Sequence, residues 1–140
     1  MDSFRSSRLR PGVFAGALLI FAAAFSGCST PVQVTTDNRT LGEYKFGFLV
    51  VAPPKPFEEV RDAVKRGFKD LGYFLVQDEL DPPGKCELRA RTADDTIVIV
   101  KLESDGTLTG GPFTNVKIRY GLRGDLAPAQ RIYQAIEKNL

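Results

Sequence analysis

The stretch EYKFGFLVV, residues 43–51, decides the layout of this chain. Tyr44, Phe46, Phe48 and Val50 alternate with Lys45, Gly47, Leu49 and Val51, so the segment reads as one strand with a strongly apolar face, ended by Pro53-Pro54. That phase sends Phe46 and Phe48 towards a core and leaves Leu49 and Val51 on the opposite side.

Towards the C-terminus, Phe57, Val60, Val64, Phe68 and Leu71 recur at helical spacing behind Pro56. Glu58 and Glu59 suit the positive end of such a helix, and Gly72 its stop. Tyr73 to Asp78 reads as a short strand, and Asp81-Pro82-Pro83-Gly84 as a turn. Cys86, Leu88 and Ala90 alternate with Glu87, Arg89 and Arg91 in a half-buried strand. Asp94-Asp95 suits a tight hairpin, and Thr96 to Leu102 is the most β-branched run of the chain. Asp105-Gly106 and Gly110-Gly111-Pro112 mark a longer loop, after which Val116, Ile118 and Tyr120 give a last strand its inner face. Asp125 caps a second helix whose apolar stripe is Leu126, Ala129, Ile132, Tyr133, Ile136 and Leu140. The expected fold class is α+β: a five-stranded antiparallel sheet with two helices on one face, in the order β-α-β-β-β-β-α. This order is similar to that of TATA-binding-protein-like folds, an analogy of topology that implies no shared function.

The same phase defines an outer face. With Phe46, Phe48, Phe74, Val76, Val98 and Val100 turned inward, Leu49, Val51, Tyr73, Leu75, Ile97 and Ile99 face away from the helices, bordered by Arg89, Arg91, Lys117 and Arg119. An apolar patch with a basic rim is a candidate surface for a protein partner.

Towards the N-terminus, STPVQVTTDNRTLG, residues 29–42, is polar and rich in Thr. It reads as a flexible tether that reaches at most ~45 Å when fully extended, which places a single folded domain at residues 43–140. Ahead of it, Phe25-Ser26-Gly27-Cys28 closes an apolar run from Val13 to Phe25 behind Arg5, Arg8 and Arg10. This is the pattern of a secretory signal peptide over residues 1–27, and the run is shorter than the ~20 apolar residues that cross a bilayer. The junction resembles a bacterial lipobox, with Phe25 where Leu is usual. The resemblance implies a diacylated Cys28, cleavage before it, and residues 28–42 as lipidated cysteine and tether. Several acyl chains make such anchoring effectively permanent. By resemblance to lipoprotein sorting in Gram-negative bacteria, Ser29 rather than Asp after the cysteine implies the periplasm-facing outer membrane. The alternative is ordinary secretion with cleavage after Ala22-Ala23-Ala24, leaving Cys28 incidental or paired with Cys86. Asn38-Arg39-Thr40 matches a glycosylation sequon, which carries weight only in a eukaryotic secretory pathway.

Composition narrows the chemistry. Removing residues 1–27 from 140 leaves 113, enough for one small domain. Without Asp2, Arg5, Arg8 and Arg10, the remainder holds 16 basic and 16 acidic side chains, and the electrostatic footprint of a nucleic-acid binder is missing. The chain has no histidine, so zinc sites and Ser-His or Cys-His nucleophile pairs lose their commonest member, and no metal or cofactor is expected. Cys86 reads as a small buried hydrophobe. Gly106, Gly110 and Gly111 lack the Gly-Lys-Ser/Thr of a phosphate loop, and Asp125 would itself occupy the positive helix end that an anion needs.

Pro56-Phe57-Glu58-Glu59-Val60, Leu71-Gly72-Tyr73, Arg89-Ala90-Arg91-Thr92-Ala93-Asp94 and the run TNVKIRYGLRGDLAPAQRIYQAIEKNL from Thr114 to Leu140 resemble the small bacterial lipoproteins catalogued as domain of unknown function 3568. Ile118-Arg119-Tyr120-Gly121 followed by Gly124-Asp125 is the most specific part of the likeness. The resemblance implies lipoprotein character and a small α+β domain, and supplies no activity.

The function expected from these features is a lipid-anchored, non-catalytic interaction module of the cell envelope. The alternative is a binding module for a small apolar ligand held between helices and sheet, suggested by the ten phenylalanines. Labelled fatty acid is expected to enter the wild-type protein in its bacterial host and to be absent from Cys28→Ala, which should accumulate as uncleaved precursor. Label persisting in the variant would refute the lipidation site.

Overall fold

The computed structural model describes residues 29–34, 40–81, 84–105 and 113–140. The expected signal peptide, Cys28, Asn38-Arg39 of the sequon, Pro82-Pro83 and the loop from Gly106 to Pro112 lie outside the described residues. The chain forms β1 (Thr30–Gln33), β2 (Leu41–Lys45), β3 (Phe48–Val51), α1 (Phe57–Asp70), β4 (Phe74–Asp81), β5 (Lys85–Arg91), β6 (Ile97–Asp105), β7 (Phe113–Tyr120) and α2 (Leu126–Glu137).

All strands join one seven-stranded sheet in the order β1-β2-β3-β7-β6-β5-β4, and every neighbouring pair is antiparallel. The expected five-stranded sheet is thus corrected to seven strands, and the element order to β-β-β-α-β-β-β-β-α. Two local features account for the difference. EYKFGFLVV is a hairpin, because Phe46 at φ 51° and Gly47 at φ 77° make a two-residue turn between Lys45 and Phe48. Paired positive φ values are the geometry of the tight turns that match strand twist, and glycine takes the second without strain. The other feature is β1, formed by residues expected to be tether, which pairs from Thr30↔Tyr44 to Gln33↔Leu41. The folded domain therefore begins at Thr30.

The turn reverses the side-chain phase of β3. In one continuous strand Tyr44 and Phe48 would share a face; across the turn Tyr44 pairs with Leu49, and these two share it instead. Leu49 and Val51 are therefore buried, while Phe46 at the apex is 83% exposed. They align with Ile118 and Val116 of β7, Val100 and Leu102 of β6, and Leu88 and Cys86 of β5, all buried on the side that meets the helices. Onto this layer α1 places Val60, Val64 and Phe68, and α2 places Ala129, Ile132, Tyr133 and Ile136. Two apolar helix stripes thus close one core over one sheet face.

Close backbone approaches fix how the helices sit. Gly67 of α1 faces the backbone of Ala135 and Ile136, where an added β-carbon would lie 3.2 Å from the Ile136 nitrogen. At the start of α2, Asp125 accepts a hydrogen bond from the Ala127 N–H at 3.2 Å, satisfying one of the free donors at that helix end. Immediately before it Gly124, at φ 80°, packs on the carbonyl of Gly47, and a β-carbon on Gly47 would stand 2.6 Å from the Arg123 carbonyl oxygen. Neither glycine has room for a side chain.

β1 and β4 are the sheet edges. β4 is exposed along nearly its whole length and carries a bulge between Leu75 and Gln77, with Asp78, Glu79 and Asp81 beyond it. A bulge and charges on an edge strand discourage pairing with other chains.

Leu49→Ser is expected to lower stability by about 3 kcal/mol, the cost of truncating a fully buried leucine and burying a hydroxyl in its place. Ile99→Ser, on the other face, should cost less than about 1 kcal/mol. Chemical denaturation midpoints of the two variants decide this, and equal midpoints would contradict the phase set by the turn.

Candidate functional site

The helices cover one face of the sheet and leave the other open. On the open face Ile99 pairs with Arg89 on one side and Arg119 on the other, and Ile97 pairs with Arg91. The Gly121 N–H donates to the Ile97 carbonyl at 2.9 Å, which brings the turn after β7 against the start of β6. Arg89, Ile97, Ile99, Arg119 and Leu122 then line an open groove of about 320 Å³. Leu122 is 90% exposed and Ile97 47%, so the groove has an apolar lip.

The three arginines are not equivalent. Arg89 Nε donates to Glu87 at 2.6 Å and Arg91 donates to Asp95 at 2.8 Å. Arg119 has no ion pair among the described residues, and its guanidinium lies 5.0 Å from the centre of the Phe48 ring. Its Nε is buried without a hydrogen-bond partner. The ring supplies cation–π attraction without using the N–H donors, so Arg119 retains capacity for a carboxylate or carbonyl at the groove floor.

A second hollow, of about 280 Å³, lies beside Glu79, Glu87, Lys101 and Glu103. Two of its acids, Glu87 and Glu103, are held in ion pairs. Burial pushes the Glu87 carboxyl up, but hydrogen bonds from Arg89 and Lys101 outweigh this and hold it below its ordinary value. The bond from Lys117, 2.8 Å long, does the same for Glu103 against burial. No group of acidic and cysteine side chains placed to hold a metal occurs among the described residues.

Of the residues expected on the outer face, Arg89, Arg91, Ile97 and Ile99 stand there together. Leu49 and Val51 belong to the core for the reason given by the turn. Tyr73 packs against that core, its ring 6.3 Å from the ring of Phe68. Leu75 pairs with Ala90 and so stands on the helix side, at the exposed edge. Phe48 takes the place on the open face that had been given to Leu49. Phe74 and Val76, expected inside, are exposed, because β4 is an edge strand and its bulge breaks the alternation. Phe68 is the one phenylalanine fully buried between helices and sheet among the described residues, and Phe57 packs partly buried against the same core.

The polar centre of the helix side is Asp78, bound by Arg61 at 3.0 Å and Lys65 at 2.7 Å. Burial raises its carboxyl, and these two cations outweigh the effect and lower it. The Cys86 thiol is pushed up by burial and donates to Asp78 at 3.5 Å, so it stays protonated. Its position also bears on Cys28. A disulfide needs α-carbons within about 7 Å, and two residues of chain carry Cys28 no farther than about 7 Å from Thr30. β1 and β5 stand five places apart in the sheet, about 24 Å. An intramolecular Cys28–Cys86 bond is incompatible with this fold.

The specific motif from Ile118 to Asp125 therefore supplies Arg119 of the groove, the turn that meets Ile97, the glycine that abuts Gly47 and the cap of α2. Residues 13–139 match the model of a family described as "Protein of unknown function (DUF3568)". The chain belongs to the DUF3568 family. No curated protein matches it. Among the described residues of this DUF3568 member, no helix is long and apolar enough to cross a membrane.

Proposed function

We propose that this DUF3568 protein is a lipid-anchored, non-catalytic module of the bacterial cell envelope, held at the periplasmic side of the outer membrane through Cys28, whose open sheet face binds another envelope protein. The observation that carries the binding role is the groove between Ile97, Ile99 and Leu122, with the guanidinium of Arg119 free of any anionic partner among the described residues. Apolar walls around one uncompensated cation suit a segment that presents a carboxylate beside an apolar side chain. The anchor is supported by the sequence at Cys28 and by the family match, which begins at residue 13 and so takes in the apolar run and the cysteine with the folded domain. It is supported further by the geometry that denies Cys28 a disulfide with Cys86. The histidine-free sequence and the ion pairs that engage Glu87 and Glu103 in the acidic hollow fit a binding role better than a catalytic one.

A photo-crosslinking amino acid at position 99 is expected to give one discrete adduct in the intact envelope, lost on Arg119→Glu. The same probe at Lys69, exposed on α1, should give none. No adduct at 99, or equal adducts at both positions, would contradict the reading.

A further inference from the structure

The antiparallel register gives the sheet two distinct ends. Thr30, where β1 begins, pairs with Tyr44, just before the Phe46-Gly47 turn. The same end carries Tyr120 and the turn that follows β7, because β7 runs antiparallel to β3. Gly47 touches Arg123 and Gly124, so the two turns adjoin. Their tips are Phe46 and Leu122, 83% and 90% exposed, the highest values among the large apolar residues described. Lys45 lies beside Phe46, its Nζ 5.6 Å from the ring centre, and Arg123 follows Leu122. Neither cation has an ion pair among the described residues. The nearby acids are largely engaged: Asp125 caps α2 and Asp95 holds Arg91, leaving Glu43 and Asp94.

Only Ser29 separates Thr30 from Cys28, so a cysteine fixed at a bilayer surface holds the start of β1 within about 7 Å of it. The expected long tether does not exist to lift the domain away, because its first part is β1. Resting on the proposed acylation of Cys28, we propose that this end of the sheet is a membrane-docking surface. Phe46 and Leu122 enter the interfacial layer of the leaflet that holds the acyl chains, and Lys45 and Arg123 meet its phosphates. Aromatic and aliphatic tips flanked by cations are the side chains that settle at that depth. The occupant is the bilayer because the attachment point, the two exposed tips and the two unpaired cations share one end. The open-face groove then meets the lipid at its Leu122 lip, while its Ile99–Arg119 floor lies farther from that end of the sheet.

The chain contains no tryptophan, so a single introduced one reports its own position. Phe46→Trp, Leu122→Trp and, from the opposite end, Leu41→Trp, 71% exposed in the native protein, are purified as the full mature protein and reconstituted in vesicles of phosphatidylglycerol and phosphatidylcholine brominated on the acyl chains. Mass spectrometry counts the acyl chains on each sample. Acylated protein is expected to show blue-shifted emission, quenched by bromine, at positions 46 and 122, and water-like unquenched emission at 41. Acylated protein with water-like emission at all three positions overturns docking while leaving the anchor intact. A blue shift that bromine does not quench overturns it in favour of packing against a second copy. Absence of acyl chains overturns the anchor and, with it, the docking.

Discussion

The fold depends on one backbone constraint: the reversal at Phe46-Gly47, with both residues at positive φ, wedged against the backbone of Gly124. The reversal fixes the phase of β3 and thereby puts Leu49 and Val51 into the core. Through β3 it joins two meanders that share no other strand pairing among the described residues, β1-β2-β3 and β4-β5-β6-β7, at the β3–β7 pair. The contact with Gly124 sets where α2 can start, and α2 closes the core over that junction. A β-carbon at either glycine would push these units apart, which is why positive φ and close approach coincide there.

The same constraint shapes the two surfaces argued to have a role, which meet at Leu122. The tight turn needs no side-chain packing of its own, so its apex residue is free to be a large apolar one that points into solvent. Exposed rings of this kind cost solubility unless something covers them. The open face differs in character. Several of its charges are paired, Arg89 with Glu87 along β5 and Lys101 with Glu87 and Lys117 with Glu103 across strands, whereas Arg119 has no ion pair among the described residues. One end of the domain therefore suits a flat, phosphate-bearing boundary and one face suits a shaped partner with a carboxylate.

Much of this was legible in the sequence. Both helices follow from 3.6-residue periodicity, and the stripes containing Phe68 and Ile132 are buried as that period requires. Asp125 as a cap, a hairpin at Asp94-Asp95 and the alternation of β5, β6 and β7 were likewise readable, because each signal is local. Three features were not. Alternation of Tyr44, Phe46 and Phe48 is unbroken by a two-residue turn, and only Gly47 hinted at one, preceded by a phenylalanine that rarely takes positive φ. Thr30–Gln33 has strand-like residues but too few to show a period, and its place is decided by pairing with β2. For β4, edge position and the bulge are properties of the whole sheet, so Phe74 and Val76 could not be assigned a face from their neighbours. At the candidate site, Arg89, Arg91, Ile97 and Ile99 were found because their strands are regular, whereas Phe48 and Leu122 were missed because turns decide where they stand.

The central claim is that the domain rests on the membrane by the end that carries the Phe46-Gly47 turn. Hydrogen exchange of the mature acylated protein, compared between detergent and anionic vesicles, tests it without altering a residue. The account predicts slower exchange on vesicles for the amides of Lys45 to Phe48 and Gly121 to Gly124, with Lys85 to Leu88 at the opposite end of the sheet unchanged. Identical exchange at both ends in the two environments would contradict it.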